Sequence, residues 1–165
     1  MEAWARAAKV GDMNLFGTQK VSGRTLEEVA HLVTRYFKSR DLDPQKQSIP
    51  ASGGSGWWMT EGSAKIYIFI QESPAGPVLR VTSPIVFVPE TNKEAFYRRL
   101  LDLNSNMTSC NLATYENYVL VVSQRQTIGI SQEELDSIVW NVAYVADLLD
   151  DKLATEFGTK LYRES

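Results

Sequence analysis

The chain has one cysteine, Cys110, and one histidine, His31, in 165 residues. A single thiol excludes an internal disulfide, and one thiol with one imidazole cannot fill the four positions of a structural zinc site. Basic residues are not in excess: 17 Lys and Arg face 20 Asp and Glu, for a net charge of -3. That balance lacks the basic footprint of a dedicated nucleic-acid binder. No apolar run approaches the roughly eighteen residues needed to span a bilayer, and the opening MEAWARAAKVGDMN lacks a continuous apolar signal core. These absences lead us to expect a cytoplasmic protein with no direct nucleic-acid or membrane partner.

Two phosphate-binding signatures are also missing. The stretch ASGGSGWWMTEG at residues 51–62 is glycine-rich, but it contains no Lys and precedes a strand pattern instead of a helix. A Walker loop or dinucleotide fingerprint needs a helix N-terminus behind the glycines to neutralise phosphate charge. A flexible tether leading into a sheet is the expectation here.

What is present is an ordinary globular composition, 44% apolar and 22% charged, at a length suited to one domain. Three segments of helical period each open with Ser or Thr followed three residues later by Glu: Thr25 to Glu28, Thr91 to Glu94 and Ser131 to Glu134. In such a capping box the hydroxyl accepts from a backbone N–H while the Glu reaches back to the cap. The spacing predicts helices over about Leu26 to Arg40, Asn92 to Asn104 and Gln132 to Phe157, the last ended by Gly158.

Between them, WWMT, AKIYIFIQE, PVLRVTSPIVFVP, SCNLATYE and NYVLVVSQR read as strands, with a turn near Glu116 and Asn117. The order α-β-β-β-α-β-β-α with short turns predicts an α+β fold carrying an antiparallel sheet of about five strands. Residues 1–24 form an N-terminal extension, 25–158 the domain and 159–165 a tail. Both faces of the AKIYIFIQE strand are apolar: Ile66, Ile68 and Ile70 point one way, Tyr67 and Phe69 the other.

On a helical wheel the last helix gathers Leu135, Ile138, Val139, Val142, Ala146, Leu149, Leu153 and Phe157 into one core stripe. Trp140, Tyr144 and Leu148, spaced by four, fall on the opposite side, where polar residues belong. Either the N-terminal segment with Trp4, Leu15 and Phe16 covers them, or they form a contact surface for a partner.

No constellation supports catalysis. His31 has no nucleophile beside it in sequence, and Cys110 has no cationic context to activate it. Asp147, Asp150 and Asp151 lack histidine or carbonyl partners and read as a solvated acidic face, while Arg98 and Arg99 read as a salt-bridged helix surface. No catalytic, cofactor or metal residue is assigned.

The segment from PIVFVP through RRLLDLN, ENYVLVVSQ and ISQEELDSIVWNVAYVADLLDDKL to Phe157-Gly158 resembles the YbjN-like family, related in fold to type III secretion chaperones. The resemblance spans about residues 25–158 and implies a dimerising, non-enzymatic, chaperone-like or regulatory module that binds a protein client. It supplies no catalytic motif, and the N-terminal extension is not part of its pattern. The residues expected to bury a client's apolar side chains are Trp140, Tyr144 and Leu148, with Trp57, Trp58, Tyr67 and Phe69 of the sheet. The contrasting expectation is a small enzyme or ligand-sensing domain with its site in a cleft between sheet and helices.

Overall fold

Thr25 starts the first helix, α1 (Leu26–Lys38), with a complete capping box. Glu28 N donates to Thr25 Oγ1 at 3.2 Å, and Thr25 N donates to Glu28 Oε2 at 2.7 Å. The computed structural model describes residues 24–162; Trp4, Leu15 and Phe16, and the cover expected of them, lie outside that range.

The remaining elements are β1 (Ser48–Ile49), β2 (Gly54–Glu61), β3 (Ala64–Gln71), β4 (Val78–Phe87), α2 (Lys93–Asn104), β5 (Asn111–Tyr115), β6 (Tyr118–Gln126) and α3 (Gln132–Phe157). The strands form one sheet in the order β1-β2-β3-β4-β6-β5. The fold is α+β, as the patterning predicts, with one strand beyond the expected five. The addition is β1, two residues within QKQSIP, too short to show any period. It pairs antiparallel with β2, Ser48 opposite Trp57 and Ile49 opposite Gly56.

The glycine run is not a tether. Gly54 and Gly56 lie inside β2, and a Cβ on Gly54 would stand 1.8 Å from the Ile70 carbonyl oxygen. On Gly56 it would meet the Phe69 ring at 3.0 Å and Ile49 Cγ1 at 3.1 Å. These glycines are there to let backbone and rings approach closely, a recognised use of glycine within strands.

The other two capping boxes differ from the first. Ser131 Oγ accepts from Glu134 N at 3.2 Å, but the Glu134 carboxylate pairs with Arg125. At α2 the N-cap is Asn92, with φ 57, ψ 34 and no side-chain cap bond. The helix therefore begins one residue later than Thr91 requires, and Glu94 sits at its second position, out of register for a box.

Contacts divide the chain into two compact units. The first comprises residues up to Met59, Tyr67–Arg80 and Gln124–Ser137. Its core includes Val29, Leu32, Val33, Tyr36 and Phe37 of α1 with Ile68, Ile70, Leu79, Ile130 and Leu135. The second comprises Thr60–Ile66, Val81–Ser123 and the chain from Ile138 onward.

In the second unit β5 and β6 form a hairpin with Tyr115 opposite Tyr118, turning at Glu116 with φ 51. Asn104, in the polar run that ends α2, clamps this hairpin through both ends of its amide. Its Nδ2 donates to Leu112 O at 3.0 Å, and its Oδ1 accepts from Leu112 N at 2.7 Å. Phe96 is fully buried and meets Phe157 edge to face with centroids 5.0 Å apart. Gly158, at φ 60, ends α3, and the chain then runs antiparallel to β4. Phe87 N donates to Lys160 O at 2.9 Å, and Tyr162 N donates to Ile85 O at 2.8 Å.

Candidate functional site

The second unit carries the clearest candidate surface. α3 buries Ile138, Val139, Val142, Ala146, Leu149 and Leu153, and leaves Trp140 54%, Tyr144 53% and Leu148 55% exposed. One helical turn brings the first two side by side, and their rings stack with centroids 5.1 Å apart and planes within 7°. The spacing of four that singled them out in sequence thus yields a flat aromatic platform, with Leu148 continuing it one turn further.

Electrostatics around the platform are one-sided. α3 contains Glu133, Glu134, Asp136, Asp147, Asp150, Asp151 and Glu156 against the single cation Lys152. Asp147 accepts from Ser63 Oγ at 2.6 Å, and Glu156 pairs with Arg99 at 3.1 Å. A hydrogen bond from its own backbone N–H, and then one with the Ser131 side chain, holds the Glu133 carboxyl below its usual range. Among the described residues, no group of three His, Cys, Asp or Glu could hold a metal ion.

The sheet aromatics lie in the first unit and differ in exposure. Trp57 is 7% exposed, Tyr67 and Phe69 3% each, and Trp58 is half-buried. Tyr67 and Phe69 stack along one face of β3 with planes within 7° and centroids 6.4 Å apart. Both faces of β3 are closed, since Ile66, Ile68 and Ile70 are buried too. Trp58 is therefore the more accessible of the two adjacent tryptophans.

Two further groups did not stand out in the sequence. Tyr97 and Leu101, one turn apart on α2, are 41% and 69% exposed. Their spacing of four was the available signal, masked by the apolar positions Phe96, Leu100 and Leu103, of which the first two are buried. In β4, Thr82 and Ser83 are buried and their hydroxyls have no hydrogen-bond partner. A Thr-Ser pair within the apolar run RVTSPIVF was the sequence mark.

His31 is exposed and lies 4.0 Å from Glu27. Cys110 is buried, and burial pushes its thiol up, away from the reactive thiolate. No helix among the described residues is long and apolar enough to cross a membrane.

No curated protein sequence matches the chain. Among solved structures, its fold is similar to the crystal structure of the ExsC–ExsE complex, with TM-score 0.60 and 13% identity over 78% of this chain and 95% of that one. It is also similar to the heterodimeric ExoU–SpcU complex from the type III secretion system of Pseudomonas aeruginosa, with TM-score 0.53 and 12% identity over 72% of this chain and 95% of that one. A family model described as T3SS (YopN, CesT) and YbjN peptide-binding chaperone 1 matches residues 27–165, and the chain belongs to that family.

Proposed function

We propose that the protein is a non-enzymatic, cytoplasmic chaperone that binds an apolar peptide segment of a protein partner on the outer face of α3. The observation that carries this is the stacked, half-exposed Trp140–Tyr144 pair continued by Leu148. Aromatic rings offer large contact area at low entropic cost, and contiguous exposed apolar groups mark interaction surfaces.

Magnitude and charge together select the occupant. Half of the surface that two aromatic rings can bury, with half a leucine, is about 300 Å². A symmetric pairing of two such faces would bury about 600 Å², below the ~1,200 Å² of a specific stable interface. It would also oppose two acidic helices. A peptide segment with Lys or Arg beside its apolar residues complements the acidic helix instead, and covering the platform contributes roughly 7 kcal/mol of gross apolar burial before the cost of association. Of the four sheet aromatics, Trp58 is the one left half-buried and so the most available to a partner. Trp57, Tyr67 and Phe69 are buried as the chain stands and would join only if their cover yields. A homodimer, which the family resemblance implies, needs more surface than either this platform or the exposed Tyr97–Leu101 pair of α2 supplies alone.

The test is fluorescence titration of amphipathic synthetic peptides, basic and acidic, against the protein and its Trp140→Ala/Tyr144→Ala variant, with light scattering on both. The basic peptides should bind the parent and lose at least tenfold in affinity on the double substitution, while the association state stays unchanged. Equal affinity for the two proteins would remove α3 from the proposal.

A further inference from the structure

The residues ahead of α1 carry the chemistry that the outer face of α3 selects. The sequence MEAWARAAKVGDMNLFGTQKVSG sets Trp4 close to Arg6 and Lys9, and Leu15-Phe16 ahead of Lys20, with Glu2 and Asp12 as its only acidic residues. On α3 the balance is reversed, with seven carboxylates against Lys152. The segment is therefore itself a peptide with Lys and Arg beside apolar side chains. It also stands outside the family match, which begins at residue 27.

Reach follows from the chain itself. Thr127 Oγ1 donates to Arg24 O at 3.2 Å, which fixes where the segment joins the domain. From Thr127 the chain runs to Gln132 over at most about 17 Å, and continues as one unbroken helix. Trp140 and Leu148 lie about 12 Å and about 24 Å along that helix. The path from Arg24 to the far end of the platform is thus at most about 45 Å. The chain from Trp4 to Arg24 spans up to about 66 Å, whereas from Phe16 it spans only about 27 Å. Trp4, with Arg6 and Lys9 beside it, commands the whole platform.

We propose that the segment around Trp4, Arg6 and Lys9 occupies the α3 platform of its own molecule and must be displaced by a client, a regulation that rests on the peptide-binding reading of that face. Trp4 covers the Trp140–Tyr144 rings. Asp136, one turn before Trp140, and exposed Asp147, in the turn after Tyr144, take the two cations. Membership of one chain gives the segment an effective concentration of about 1 mM. With an affinity of its own near ~100 µM it would cover the face about nine-tenths of the time and weaken a client about tenfold. The same cover shields an exposed apolar patch when no client is present.

The test keeps the full chain and compares the parent with its Trp4→Ala/Arg6→Glu/Lys9→Glu variant. The probe is a labelled synthetic peptide of residues 1–23, read by fluorescence anisotropy, with amide chemical shifts recorded on both proteins. The triple variant should bind the added peptide at least fivefold more tightly than the parent, because its own copy no longer competes. Before any peptide is added, its amides at residues 136–148 should already differ from those of the parent. Arg6→Lys/Lys9→Arg, which keeps the charge, should behave as the parent. Equal affinity of parent and triple variant with unchanged shifts at 136–148 overturns the proposal. If the basic amphipathic peptides still bind in that case, the peptide-binding reading of α3 survives; if they bind neither protein, that reading fails as well. A fall in association state on the triple substitution, seen by light scattering, would put the segment on a second copy and overturn the intramolecular contact.

Discussion

Replacing Gly54 with alanine tests the close approach between β2 and β3 directly. The new methyl carbon would lie 1.8 Å from Ile70 O and 2.9 Å from both Ile70 C and Gln71 Cα. Ordinary carbon contacts begin near roughly 3.5 Å, so the strands must part by about 1.5 Å or more. Every obstacle is backbone, so no rotamer change relieves it. Strands hydrogen-bond at a spacing of about 4.8 Å, and parting them forfeits neighbouring ladder bonds worth about 1 kcal/mol each in addition to the strain. We expect a loss of about 3–5 kcal/mol, a large part of the ~5–15 kcal/mol that holds a domain. Two neighbours grade the effect. Gly56→Ala meets only side chains, Phe69 and Ile49, and should cost about 1–3 kcal/mol as they yield. Gly53→Ala meets nothing within 4 Å but retains φ 71, and should cost about 1 kcal/mol. Urea unfolding followed by tryptophan fluorescence measures all three, the first lowering the midpoint by about 1.5–2.5 M for a slope near 2 kcal/mol/M. A Gly54→Ala protein within 0.5 kcal/mol of the parent, or one more stable than Gly53→Ala, would refute the argument.

The helix starts separate by the same measurement: Thr25→Ala removes a formed cap and should cost about 1 kcal/mol, while Thr91→Ala, where no side-chain cap bond exists, should lie within about 0.5 kcal/mol of the parent. Tyr118 gives a pH dependence. Burial foremost, then Glu116, Tyr162 and Tyr115, hold its phenol well above the ordinary 10.0. The unfolded chain releases this proton first, so the stability it confers is complete below about pH 10 and declines as pH rises further. Urea midpoints at pH 8, 10 and 11 should fall across the upper interval, and Tyr118→Phe should flatten that fall; an unchanged slope would contradict it.

Periodicity revealed most of the architecture because it reports which face of an element is buried. α3 runs from Gln132 to Phe157 with Gly158 at positive φ, as its apolar stripe and terminal glycine predict, and the β5–β6 turn falls at Glu116. What stayed hidden depended on contacts distant in sequence. Nothing in GGSG distinguishes slack chain from a strand pressed on Ile70. Ser83 reads as a tolerated polar residue until its hydroxyl is seen to be buried without a hydrogen-bond partner. The platform is intermediate: spacing found Trp140, Tyr144 and Leu148, but only coordinates show that two rings stack. Trp57, Tyr67 and Phe69 alternate correctly, yet alternation gives side-chain direction and not whether the surface reached is closed.

The short pairing of residues 160–162 with β4 matters to anyone shortening this protein. Gly158 ends the last helix and is an obvious place to stop the chain. A protein cut there would leave the N–H of Phe87 and the carbonyl of Ile85 without the backbone partners they now have, beside the apolar side chains of Ile85 and Val86. An open edge of that kind is a template for another strand. Such a truncation would keep all three helices and still yield a preparation prone to join edge to edge.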